Sequence, residues 1–171
     1  VLPGPDRGAR GPRGGDGSTA VTVRSATAED ATALVELLQA GAIGTSDEDP
    51  GDLTPYWAAL EEIGESPGTE MLVIEHEGRV VGACQLITFR HLQQRGGRCA
   101  EIESMHVAPE FRGIGIGGLL LEAAVDAARA AGCYRVQLTS NAARVDAHDF
   151  YERHGFTGSH VGFKRTLESP G

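Results

Sequence analysis

The chain has 171 residues, a formal net charge of -9 and 40% hydrophobic residues. That length supports one domain with a substantial core and is short for two of ordinary size. An acidic balance argues against nucleic acid as the main partner, because affinity there rests on cationic neutralisation of phosphates, and it suits a cationic small molecule better. Cys84, Cys99 and Cys133 are odd in number, widely spaced and form no C-x-x-C pair. This points to a reducing cytoplasm and away from a disulfide framework or zinc site. The six histidines include no H-E-x-x-H, so no metal is expected.

Residues 1–20, "VLPGPDRGARGPRGGDGSTA", cannot repay their ordering entropy and read as a disordered tail. They lack the apolar core of a signal peptide, and no later segment approaches the ~20 apolar residues that span a bilayer, so a cytoplasmic protein with no membrane partner is expected. Residues 21–168 read as one domain. "VTVRSA" alternates as a strand, and Thr27 or Asp30 then caps a helix with Leu34, Leu37 and Leu38 on one face and Gly41 at its end. A turn-rich acidic stretch from Asp47 to Glu65 holds a short helix around Tyr56 to Ile63. It is read as a solvated face, with a cation-attracting rim as the alternative. "EMLVIEHEGRVVGACQLITF" is a hairpin about "HEGR", and "RCAEIESMHV" a further strand that Pro109 ends. After a glycine cluster, a helix keeps Glu122, Asp126 and Arg129 on its wet face and Leu120, Ala123, Ala124 and Ala127 inward. "YRVQLTS" is a buried strand, "ARVDAHDFYERHG" a helix, and "FTGSHVGFKRTL" two short strands about a Gly-Ser turn. The pattern is an α+β or mixed α/β domain on one sheet.

The cluster "RGIGIGG", Arg112 to Gly118, contains G-x-G-x-x-G in the wrong context for a dinucleotide fold. "APEFR" separates the strand from the first glycine, and no carboxylate follows at about twenty residues. No Lys-Ser/Thr follows either, which removes the Walker loop. The common physics of such loops remains: glycine lets backbone N–H groups approach an anion, and the helix start aims more N–H donors at the same point. With Arg112 beside it, the segment reads as a pyrophosphate site.

"RGIGIG" resembles the R/Q-x-x-G-x-G/A loop of the GNAT superfamily of acyl-CoA-dependent N-acyltransferases, and "FYERHGF", Phe150 to Phe156, resembles that family's Y-x-x-x-G-F element. The resemblance covers about Val21 to Leu167. It implies a single mixed, mostly antiparallel sheet with splayed central strands and helices on both faces, and acetyl-CoA as the co-substrate. It places the coenzyme on Met105, His106, Val107, Arg112, Gly113, Ile114, Gly115, Ile116, Gly117 and Gly118, with Asn141, Arg144 and Tyr151 completing the coenzyme-binding set. Tyr151 matches the tyrosine that protonates the departing thiolate. Glu101 stands eleven residues before Arg112, where some members carry a catalytic glutamate, and Glu103 is the alternative. The two share a face of a regular strand and should raise each other's pKa, whereas His106 has the opposite parity. Where many members have an asparagine, this chain has Arg144, with Asn141 three residues earlier. Arg144 would meet coenzyme phosphates or an acidic acceptor.

The implied reaction is acetylation of a primary amine of a small molecule such as an amino acid, a polyamine or an aminoglycoside-like compound. A peptide N-terminus and a non-catalytic acyl-CoA sensor are the alternatives. Homodimers are common in the family, and no surface stripe in this chain demands one.

Overall fold

The computed structural model describes residues 20–167. The expected tail lies outside them except for Ala20. Five strands form one sheet in the order β1-β2-β3-β4-β5: β1 Val21–Ser25, β2 Thr69–His76, β3 Arg79–Arg90, β4 Arg98–Val107 and β5 Cys133–Leu138. The first four pair antiparallel, and β5 runs parallel to β4. A parallel neighbour needs a long crossover, which the helix Ile116–Ala130 supplies. The sheet is therefore mixed and mostly antiparallel, with helices on both faces.

On one face lie α1 (Ala31–Gly41) and α2 (Thr54–Glu65). Leu34 and Leu37 pack there on Val73 and Ala83. The single tryptophan, Trp57, stays half exposed on α2. A single turn, α3 (Gln93–Gly96), joins β3 to β4. On the other face lie α4 (Ile116–Ala130) and α5 (Val145–Arg153). Leu120, Leu121, Ala124 and Ala128 there bury against Ile74, Leu86, Ala100 and Ile102. Gly118 lets α4 approach α5 closely: a Cβ there would stand 2.9 Å from His154 Nε2. Buried Asp30 anchors the entry to α1, accepting bonds from Arg24 Nη1 (2.7 Å) and Nη2 (2.9 Å) and from the Thr27 N–H (2.7 Å).

Two expectations need correction. "FTGSHVGFKRTL" forms no strand within residues 157–167, and Phe163 is 96% exposed. Gly158 and Gly162 weaken any strand there, and a strand exists only with a partner edge. "YRVQLTS" is not a buried strand: Tyr134 and Arg135 on β5 are exposed, because among the described residues β5 has a strand neighbour on one side only.

Candidate active site

The site is built where β4 leaves its neighbours. Along the β3–β4 ladder, Gln85 pairs with Glu103 and Ala83 with His106, so two steps on β3 match three on β4. Ser104 absorbs the extra residue at φ 50, a β-bulge. On the other side the β4–β5 ladder stops at Ile102–Leu138. From Glu103 to Val107 the β4 backbone therefore faces an opening, with no β5 partner.

The bulge also corrects the expected parity. An extra residue flips the alternation, so His106 joins Glu101 and Glu103 on the α1 side, while Met105 and Val107 pack into the α4 side. His106 lies so close to Gly41 that a Cβ there would overlap its ring. Burial holds its imidazole below the usual histidine range, with Arg144 and Arg112 acting in the same direction and Glu48 opposing. Gln137 of β5 stands opposite Glu101 and donates its Nε2 to Oε2 at 3.3 Å. Burial, then the charge and hydrogen bond of Glu101, raise the Glu103 carboxyl above the ordinary range, against Lys164 and the Ser104 backbone. Sequence pattern singled out neither Gln137 nor Lys164, because their proximity is set by strand register and by the path of the last segment.

Beyond the strand, Arg112 donates its Nε to the Val107 carbonyl (2.9 Å). Gly113 (φ 76) and Gly115 (φ 94) take left-handed conformations that admit glycine readily. Ile114 is exposed and Ile116 buried. Helix α4 starts at Ile116, so the amides of Ile116, Gly117 and Gly118 have no intrahelical acceptor and aim out of its positive end. These residues fit a pyrophosphate, and the unpaired β4 edge fits an extended amide chain.

From α5, half-buried Tyr151 packs edge-on to Phe150 and Phe156. Burial raises its phenol, with Cys84 and Glu103 adding and Arg144 opposing. Arg144 precedes α5 and donates Nη2 to the Gly41 carbonyl. Asn141 is turned to its own loop, its Oδ1 accepting from the Ala143 N–H at 2.9 Å. The acidic stretch divides. Glu48 turns inward, accepting from the Tyr56 hydroxyl (2.7 Å), whereas Glu61, Glu62 and Glu65 are exposed. Among the described residues there is no cluster of three metal-binding side chains and no helix long and apolar enough to cross a membrane.

The family model described as "Acetyltransferase (GNAT) family" matches residues 32–156. An aminoalkylphosphonate N-acetyltransferase of Salmonella typhimurium is 37% identical over 101 residues, covering 59% of this chain and 65% of that protein. The match thus spans under two thirds of that relative. An aminoglycoside N(6')-acetyltransferase type 1 of Stenotrophomonas maltophilia is 29% identical over 156 residues, covering 88% and 97%. Among solved structures, one described as a transcriptional regulator from Bacillus halodurans superposes with a TM-score of 0.80 at 33% identity, covering 86% of this chain and all of that one.

Proposed function

Since the chain belongs to the acetyltransferase (GNAT) family, we propose that it transfers acetyl from acetyl-CoA to the amine of a small molecule, with residues 21–168 as the catalytic domain. The observation that carries this reading is the opening at the Ser104 bulge, which has carboxylates on one side and the Tyr151 phenol on the other. The amine acceptors in the names of two relatives support it.

The α4 amides and Arg112 bind the pyrophosphate, and the free β4 edge orients the pantetheine arm. A primary amine, with a pKa of about 10, arrives protonated. Glu103 accepts that proton, directly or through water, because Glu101 and burial keep its proton affinity high. The nitrogen then forms its bond to the thioester carbon. As the C–S bond breaks, Tyr151 gives its proton to the sulfur, and the second proton that the attacking nitrogen must lose passes through water to restore the phenol, which burial keeps protonated until that moment. With ordinary pKa values of about 10 for a phenol and about 8.5 for a thiol, and the phenol raised by burial, the transfer is uphill by itself and is coupled to C–S bond breaking, which would otherwise leave a thiolate in the same desolvated site.

The test is release of free coenzyme thiol from acetyl-CoA across amino acids, polyamines, aminoglycosides and peptides. Acetylation of one class, and a fall of about 10²-fold or more in turnover for Tyr151→Phe at similar acetyl-CoA affinity, is expected. Bound acetyl-CoA with no thiol released from any amine would move the protein to the sensor class. Unchanged turnover in Tyr151→Phe would remove that residue from the mechanism.

A further inference from the structure

One guanidinium in the cleft has no part in these steps. Arg144 reaches the Gly41 carbonyl at the C-terminal end of α1, where unpaired carbonyls and the negative end of the helix draw a cation. This places its charged head at the end of α1, on the side of the sheet that carries Glu101, Glu103 and His106. Arg144 is half-buried and lines a cleft of about 290 Å³ with Gly41, Ile43, Met105, His106, Val107 and Arg112, so the cleft adjoins the strand end that orients the pantetheine arm. Among the described residues Arg24, Arg79 and Arg129 have carboxylate partners, and Arg144 has only the neutral carbonyl. A guanidinium offers five N–H donors in a planar fork matched to an oxyanion. Glu103 stands on the same sheet face three residues before His106 and outside the cleft lining, so a molecule held at Arg144 reaches it by extending along β4.

We propose that the acceptor is an amine that also carries an oxyanion, a phosphonate, phosphate or carboxylate, and that Arg144 holds this group while the amine faces Glu103. The proposal rests on the acetyl-transfer reading and narrows its substrate class. The oxyanion takes the N–H donors of Arg144, exchanging a neutral acceptor for a charged one, and Arg112 stays with the coenzyme loop through its bond to Val107.

Three amines that share an aminoethyl unit test it: 2-aminoethylphosphonate, β-alanine and ethylamine, assayed by thiol release and by calorimetry on the coenzyme-loaded protein. A charge-assisted hydrogen bond corresponds to about tenfold to a hundredfold in kcat/KM, so at least one anionic amine should exceed ethylamine by that factor. Arg144→Met should collapse the difference through a raised KM, Arg144→Lys should restore part of it, and both should keep acetyl-CoA affinity. Preference for the phosphonate or for β-alanine identifies the tetrahedral or planar oxyanion. Equal efficiency for all three amines overturns the proposal. So does an Arg144→Met loss shared by ethylamine and acetyl-CoA, which assigns Arg144 to the coenzyme. If no amine releases thiol, the acetyl-transfer reading fails by itself: 2-aminoethylphosphonate binding that Arg144→Met abolishes still supports the anion site, and absence of binding removes it.

Discussion

Glu103 and Glu101 illustrate how far a single residue can be read. Their spacing of two on an apolar strand identifies a shared face, and both do share it. That the Glu103 carboxyl is raised depends first on its burial, which no local pattern shows, and then on Glu101 beside it. His106 was misplaced for a physical reason: parity counting assumes a regular strand, and Ser104 breaks it. With the Glu103 carboxyl raised, the acid limb of kcat/KM should lie above the ordinary carboxylate range of about 4.3. Activity should fall as pH drops through that raised pKa, because the protonated form cannot accept the amine proton. Glu103→Gln should lower kcat/KM by about 10² to 10⁴-fold and remove the limb. A pH-rate profile of both proteins checks this, and an unchanged limb would transfer the role to Glu101.

At the scale of the element, the glycine loop and α4 were the most legible part of the chain, since glycine density, Arg112 and the apolar period of the helix agree. Their conformations explain why two glycines are not interchangeable with others. Gly115 has φ 94, while Gly64, near the end of α2, has an ordinary φ and open space around its would-be Cβ. Gly115→Ala should lose about 1 kcal/mol to left-handed strain and weaken acetyl-CoA binding, whereas Gly64→Ala should gain about 0.5–1 kcal/mol. Urea titration of the two variants with coenzyme calorimetry distinguishes them. The final expected strands failed where this one succeeded, because alternation around Phe163 describes a willing strand but contains nothing about a partner.

Across the whole molecule, one sheet and its two helical faces were foreseeable from periodicity, while the order of strands and the site where β4 and β5 part were not, since both are decided by long-range pairing. Long-range pairing also sets the response to acid. Arg24 on β1 joins Asp30 before α1 to Glu75 on β2, and Arg24 holds the Asp30 carboxyl below its ordinary range against the effect of burial. A depressed carboxylate contributes stability that is full above its unfolded pKa of about 3.9 and disappears as pH falls through the lower folded value. Asp30→Ala should therefore lower stability by about 2 kcal/mol at pH 7, and by less as the medium is acidified below that range, as chemical denaturation at both pH values would show. The Ser104 bulge has a genetic corollary. Glu103 and His106 already oppose Gln85 and Ala83 in correct alternation, so a chain lacking that one codon would keep its neighbours in phase, with Met105 falling opposite Cys84. The bulge thus amounts to a one-residue insertion in an otherwise continuous β3–β4 ladder, and a single three-base deletion would be enough to restore its register.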